Sequence, residues 1–301
     1  MSLLVTGSIG IDTVTTPFGV SKNCIGGSAV YFSMAASFFS PVRFIGAVGA
    51  DCPFDLEDVF ADRDVDLRGL EKRELSKTFR WKGSYHDTMR EAITDNVELN
   101  VLAEAPPTVP QEYKDSKFIF LANTAPALQQ KLLEQIEDPL FVAADTMNCW
   151  IQGHLEELKK LLRRVNCLII NEDEARDLAI QSNLIKASEV ILDMGPGTVI
   201  IKKGESGSLM SNSEGRTFIL PAYPAAQVKD PTGAGDSFAG ALMGYLTQVE
   251  KTDFESLKQA IAYGTVAASF TISDFSLNGL NSISRADIEN RVETLRKLTQ
   301  F

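Results

Sequence analysis

The chain has 301 residues, enough for one large α/β unit or for two domains, and its 44% hydrophobic and 23% charged residues are those of a globular protein with a packed core. A formal net charge of −11 argues against a nucleic-acid or anionic-membrane partner, so an anionic ligand has to be held by local donors and a metal ion. Cys24, Cys52, Cys149 and Cys167 form no Cys-x-x-Cys pair, which argues against a zinc or redox motif and predicts reduced thiols in a cytoplasmic protein. The apolar start lacks the basic flank and cleavage site of a signal peptide, and no run approaches the ~18 apolar residues of a membrane span.

Leu3 to Ile9 reads as a buried first strand, with Gly7, Gly10 and Asp12 at or just past its C-terminal end, where open α/β sheets bind ligands. Asp12 is there either a turn residue or a binding carboxylate. Pro17 to Asn23 is a polar, flexible run ending in Cys24-Ile25-Gly26-Gly27, and Ser28 to Phe39 has helical character. Gly-Gly before a helix is a simple turn or a place where backbone approaches a ligand closely. Val42 to Val48 is another strand, followed by Asp51, which suits a helix cap. From Thr78 to Tyr85, Phe79, Trp81, Gly83 and Tyr85 alternate with polar residues, the period of a half-buried strand that Val97 to Leu102 can pair. Pro106, Pro107 and Pro110 end that excursion.

Beyond the prolines the chain alternates strand and helix in the rhythm of a parallel sheet. The strands are Lys117 to Ala122, Leu140 to Ala144 and Cys167 to Ile170, and the helices are Ala127 to Glu137, His154 to Arg164 and Glu172 to Ala179. Asn123, then Asp145 with Asn148, then Asn171 with Glu174 follow the three strands and aim oxygens at one edge. Asn171 and Glu174, three apart in a first helical turn, are either ordinary caps or hard oxygen ligands for Mg²⁺ through water. Val199 to Ile201 is a further strand, and Lys202 to Gly207 turns into Ser208 to Ser211. Lys203 is either a phosphate contact or a solvated hairpin lysine. Phe254 to Phe270 is a small-residue helix suited to close packing, and Ser284 to Leu298 closes the chain as an amphipathic helix.

The most specific stretch is Asp230-Pro231-Thr232-Gly233-Ala234-Gly235-Asp236, with a helix starting near Asp236. A loop entering a helix this way points unpaired N–H groups and the positive end of the helix dipole at one spot, which suits an anion. Asp236 adds an acid–base group beside that cradle, as transfer of a phosphoryl group to an alcohol requires. The dipole moves its pKa by well under one unit, so the carboxylate is expected to be ionised at neutral pH. Alone, Gly-x-Gly-Asp also describes a loop that merely caps a buried helix.

These seven residues and the helix after them resemble the second signature of the PfkB family of carbohydrate kinases, which includes ribokinase and adenosine kinase. Cys24 to Gly27 resembles the family's first signature, although Tyr31 stands where an Asn is common, and Gly46 to Asp51 resembles its Gly-x-x-Gly-x-Asp segment. The resemblance implies a ribokinase-like α/β fold, a central, mostly parallel sheet flanked by helices with a small β-lid. One kinase domain would span residues 1–301, with lid segments near 12–20 and 78–103. It implies ATP-dependent phosphorylation, with Asp236 as base and Gly233, Ala234 and Gly235 as anion hole. Asp12, Gly26, Gly27, Asp51 and Asn123 would bind the acceptor. Asn171, Lys203, Gly204, Gly207, Thr232, Gly233, Gly235 and Tyr263 would bind the nucleotide, and Asn171 with Glu174 would hold Mg²⁺ through water. The expected partners are ATP and a sugar or nucleoside, with a homodimer through the lid left open. A sugar phosphate as acceptor, or a silent nucleotide- or sugar-binding relative, stands as the alternative.

Other enzyme classes fit less well. A P-loop would need Gly-x-x-x-x-Gly-Lys-Ser/Thr, a dinucleotide site would need Gly-x-Gly-x-x-Gly after the first strand, and the two histidines are too few for a zinc hydrolase.

Overall fold

The computed structural model describes residues 2–86, 88–90 and 92–300. Its strands in chain order are β1 Leu3–Thr6, β2 Gly10–Thr16, β3 Gly19–Gly26, β4 Val42–Gly49, β5 Val65–Arg73, β6 Phe79–Ser84 and β7 Ile93–Glu98, then β8 Phe118–Leu121, β9 Phe141–Ala144, β10 Cys167–Asn171, β11 Thr198–Lys202, β12 Ser208–Asn212 and β13 Thr217–Leu220.

Strands β1, β8 and β9 are apolar or nearly so and buried at every residue, as strands covered on both faces must be. They sit inside a nine-stranded sheet ordered β13-β12-β11-β10-β9-β8-β1-β4-β5. From β11 to β5 the ladders are parallel, and β12 and β13 add an antiparallel edge. The chain builds outward from β1 through β4 to β5, then restarts at β8 and builds the other way. This reversal between β1 and β8 opens a crevice at the strands' C-terminal ends, the usual ligand position in such sheets.

Alternate residues of each strand feed two apolar layers. Leu3 and Val5 pack with the helices Ser28–Ala36, Ala234–Val249 and Phe254–Thr271. Leu4 packs on the other face with Pro126–Leu133, Leu155–Leu162, Glu172–Ala179 and Leu184–Asp193. The helices Ser28–Ala36 and Ala234–Val249 approach so closely at Gly240 that a Cβ there would lie 2.2 Å from the Phe32 carbonyl oxygen. This seam fixes the N-terminal turn of the second helix, and with it Asp236, against the crevice.

A separate four-stranded sheet, ordered β3-β2-β6-β7, rises from the same end. It joins the two regions expected to form a lid, although the second of these includes Asp87 and Glu91, which lie outside the described residues. The run Pro17 to Asn23, expected to be flexible, is the tip of the β2–β3 hairpin, with Val14 opposite Ser21 and Thr15 opposite Val20. Its residues are largely exposed on an edge strand and show no apolar alternation. The strand pairing β6 is Ile93–Glu98, earlier than Val97 to Leu102, because Asn100–Ala103 turns into a 3₁₀ helix. The chain also forms β5, β13 and the helix Leu184–Asp193, none of which was expected from the sequence. The helix expected near Asp236 begins at Ala234.

Gly240→Val is expected to lower the unfolding free energy by about 2 kcal/mol or more, since overpacking a close helix seam forces the backbones apart. Urea denaturation measures it, and a loss below about 0.5 kcal/mol would show that the seam yields freely.

Candidate active site

The loop before the helix Ala234–Val249 is held by the buried carboxylate of Asp230. One oxygen accepts the Thr232 N–H at 2.9 Å, and the other accepts the Ser276 N–H at 3.4 Å. The Ser276 hydroxyl donates to the Ile25 carbonyl at 2.6 Å, so the loop is tied to the Gly26-Gly27 turn. That turn is tied in its own way to the residues after β1. Ser8 Oγ accepts the Ser28 N–H, while the Ser8 carbonyl accepts the Ala29 N–H.

Gly233 adopts φ 75°, left-handed backbone that favours glycine, and a Cβ there would strike the Tyr31 ring at 2.3 Å. The Ala234 N–H donates to the Pro231 carbonyl at 3.2 Å and closes the turn. Ala234 therefore differs from the expected anion hole, because its donor is already engaged. The N–H groups of Gly233, Gly235 and Asp236 have no acceptor elsewhere among the described residues, and they lie at the positive end of a 16-residue helix.

Five carboxylates from four segments come within electrostatic reach of one another here. Burial raises the Asp236 pKa to about 6, against the opposing pull of the Lys202 ammonium. The expected near-ordinary value is thus corrected: burial outweighs the helix dipole, yet about ten carboxylates are ionised for each one protonated at pH 7. Burial, then the charges of Asp230 and Asp236, push Asp12 up to about 7. Burial also raises Asp230, Glu174 and Asp145, the last further raised by Asp236. One oxygen of Asp12 and one of Asp145 are buried without a hydrogen-bond partner. Asp12 Oδ2 lies against Gly26, where a Cβ would come within 1.8 Å of it, so glycine there makes room for the carboxylate.

The remaining expected residues divide into those near this cluster and those engaged elsewhere. Asn171 and Glu174 form a reciprocal capping box: Asn171 Oδ1 accepts the Asp173 and Glu174 N–H groups, and Glu174 Oε2 accepts the Asn171 N–H at 2.9 Å. Capping leaves Glu174 Oε1 and the partnerless Asp145 oxygen as hard donors. They fit a hydrated Mg²⁺ that draws its other ligands from phosphate and water. Lys203, Gly204 and Gly207 form the turn from β11 to β12, and Gly207, at φ 83°, lets the chain pass under the Leu220 carbonyl.

Asp51, expected to bind the acceptor, is a correction. It accepts the Thr78 N–H at 2.6 Å and pairs with Arg80 at 2.7 Å. Burial opposes ionisation, but these partners outweigh it and hold the pKa down to about 2. Asp51 anchors β6. Asn123 likewise has both ends of its amide engaged, accepting from Trp150 Nε1 at 2.8 Å and donating to Met147 Sδ. Tyr263, expected at the nucleotide, stacks on Tyr245 with ring centroids 4.6 Å apart and meets Phe39 edge-on. Tyr245 lies about 16 Å along its helix from Ala234, so this aromatic cluster lies away from the expected phosphate-binding end of the loop.

Two residues of the cluster went unassigned. Lys202 lies at the end of β11 beside Asn171 in the parallel register, and a Cβ on Gly235 would stand 2.7 Å from its Nζ. Its signal is the first charge after a buried apolar strand. Tyr85, which the alternation marks only as a strand residue, also reaches the loop: Thr232 Oγ1 donates to its hydroxyl at 3.3 Å.

A parallel α/β sheet whose switch-point crevice holds a helix N-terminus, a lysine and several carboxylates is the architecture of a small-molecule kinase. The pfkB family carbohydrate kinase signature matches residues 22–282. A cytidine kinase of Thermococcus kodakarensis is 28% identical over 254 residues, covering 81% of this chain and 88% of that one. A Burkholderia thailandensis nucleoside kinase in complex with inosine superposes with a TM-score of 0.79 at 19% identity, over 98% of each chain. A putative ribokinase II from E. coli, in complex with ATP and Mg²⁺, gives 0.77 at 18% identity, over 97% of this chain and 99% of that one. The chain belongs to the pfkB family of carbohydrate kinases, and its fold is ribokinase-like.

Asp12 offers a test of this electrostatic setting. Its pKa is about 3.8 unfolded and about 7 native, so between these values the native state holds a proton that the unfolded chain releases. Stability therefore falls as pH rises through that window, on the order of 1.4 kcal/mol per unit, and the loss is complete above about 7. Asp12→Asn removes the ionisation and is expected to be more stable than wild type at pH 8, with the advantage shrinking toward pH 4. Thermal melts at pH 4, 6 and 8 decide the matter; a gain independent of pH would contradict the assignment.

Proposed function

We propose that the protein transfers the γ-phosphoryl group of ATP to a primary hydroxyl of a neutral ribose-like sugar or nucleoside. The observation that carries this reading is the pairing of two features: free N–H groups of Gly235 and Asp236 beside the Asp236 carboxylate, and the partnerless oxygen of Asp12 within electrostatic reach of it. The first pair suits a phosphoryl group and the hydroxyl that attacks it. The second suits a donor hydroxyl elsewhere on the same acceptor.

In this reading Asp12 orients the acceptor through a hydroxyl, and Asp236 accepts the proton of the attacking hydroxyl as its bond to phosphorus forms. Gly233, Gly235 and Asp236 donate N–H groups to the phosphoryl oxygens, a stabilisation that grows as charge develops. Gly204, Gly207, Lys203 and Thr232 border the nucleotide's path. Mg²⁺, held by Glu174 and Asp145 with Asn171 nearby, would supply charge neutralisation for the phosphates.

The whole chain acts as one kinase unit, with the β3-β2-β6-β7 sheet as a lid over the acceptor. Tyr85, just past β6, meets Thr232 of the loop and gives the lid a contact with the phosphate end. Phe18, Val20, Ile93 and Val97 leave this sheet an exposed apolar surface, which supports pairing of two lids in a homodimer.

A phosphorylated acceptor is disfavoured by the same carboxylates, since Asp12, Asp230 and Asp236 would repel it, and Arg80 is already paired with Asp51. The similarity to a cytidine kinase and to an inosine-bound nucleoside kinase favours a nucleoside over a free sugar. The decisive assay compares cytidine, inosine, adenosine, ribose and fructose with fructose 1-phosphate and fructose 6-phosphate at equal concentration. Turnover of a neutral compound is expected, and preference for either sugar phosphate would overturn the acceptor assignment.

Asp236→Asn is expected to lower kcat at least ~10²-fold while leaving the fold and ATP binding nearly intact. Near-normal turnover would remove Asp236 as the base. Because the base must be ionised, kcat/KM of the wild type should fall about tenfold per unit below about pH 6 and level off above it. A profile flat down to pH 4.5 would contradict the same assignment.

A further inference from the structure

Lys202 has a position that neither family signature accounts for. It ends β11, level with Asn171 of β10, and its ammonium faces Gly235: a Cβ there would be 2.7 Å from Nζ and 3.8 Å from Cε. The side chain is partly buried, yet among the described residues it makes no hydrogen bond and no ion pair within 4.0 Å. Its charge acts at longer range on Asp236, Asp145 and Glu174. A partly desolvated ammonium with all three donors unused is unfavourable unless a ligand completes it. Asp145, itself more than nine-tenths buried with a partnerless oxygen, shows that this same space lacks a binding partner.

We propose that Lys202 is a further catalytic residue, whose ammonium binds the γ-phosphoryl group of the nucleotide triphosphate opposite the N–H groups of Gly235 and Asp236. This inference rests on the phosphotransfer reading. In the step, the acceptor oxygen bonds to the γ-phosphorus, the bond from that phosphorus to the β–γ bridging oxygen breaks, the hydroxyl proton passes to Asp236, and ADP leaves with the bridging electrons. Lys202 takes no part in the proton transfer and holds the equatorial oxygens. Its charge also offsets part of the repulsion that the three carboxylates exert on an incoming triphosphate. Lys203, one residue on, lies in the hairpin turn and lacks this approach to Gly235.

The test compares wild type with Lys202→Met, Lys202→Gln and Lys202→Arg, first by calorimetric binding of Mg-ATP and Mg-ADP without acceptor. A ligand of the γ-phosphoryl must favour ATP over ADP. The Met and Gln variants are expected to lose about tenfold of that preference, with ADP binding within about twofold of wild type and Arg retaining part of it. With an acceptor turned over by wild type, kcat should fall at least ~10²-fold in Met and Gln, the worth of a donor to the transferring group. Circular dichroism and thermal melts establish folding, and Gln carries the comparison if Met fails to fold. An unchanged ATP-to-ADP preference, or kcat within about threefold of wild type, would overturn the proposal. Failure of the kinase reading looks different: wild type would bind ATP without turning over any acceptor, while the binding comparison still judges Lys202.

Discussion

The arrangement depends on keeping like charges together. Asp12, Asp145, Glu174 and the pair Asp230 and Asp236 come from four segments, and burial raises the pKa of each. Left to themselves, such carboxylates would separate or protonate. A parallel sheet resists this, because its strand ends are fixed by ladders and by two apolar layers far larger than any local repulsion. The functional groups can then sit on loops and first turns without choosing their own positions. Lys202 supplies the nearest positive charge, and the dipole of the helix Ala234–Val249 supplies another partial one.

The two sheets meet through a small number of polar contacts. Asp51 fixes the start of β6 through Thr78 and Arg80, while Ser276 and Asp230 bind the loop before Asp236 to the end of β3. Tyr85 adds a contact to Thr232. The ties at Asp51 and Asp230 use ionised or buried groups with two partners each, whereas the Tyr85 contact is a single hydroxyl pair at 3.3 Å. In the proposed lid, the base is therefore anchored and the far edge is the part free to lift.

Much of this was legible in the sequence where one physical rule dominated. Buried parallel strands must be apolar throughout, so β1, β8, β9, β10 and β11 announced themselves, as did the Gly-rich loop whose backbone only glycine tolerates easily. Strand β5 reads Val-Asp-Leu-Arg-Gly-Leu-Glu-Lys-Arg, an edge strand whose charges hide its period. The hairpin Pro17 to Asn23 escaped for the same reason. At the site, local chemistry was ambiguous wherever one side chain could serve two purposes. Asn171 and Glu174 cap their helix, and Glu174 also acts electrostatically on Asp145, so the spacing alone does not separate capping from metal binding. Tyr263 is an aromatic on a small-residue helix, a pattern that does not say what it meets, and in the fold it stacks on Tyr245 and meets Phe39 edge-on. Lys202 and Lys203 differ by one residue, and only the register of β10 with β11 tells which one reaches Gly235.

The net charge of −11 poses the last question, how such a chain attracts a triphosphate at all. Screening answers most of it: at physiological ionic strength the Debye length is about 8 Å, so charges across the surface matter little inside the crevice. What remains is the local field: on the proposed reading N–H groups and one ammonium would meet the phosphates, and Asp12 would meet the acceptor. In the proposed reading that division would put the two substrates at opposite ends of one cleft. The triphosphate would lie along the Gly233 to Asp236 turn, and the unpaired Asp12 oxygen would meet an acceptor hydroxyl. The same negative charges that make the cluster unfavourable in the folded chain thus help keep phosphate out of the acceptor's place.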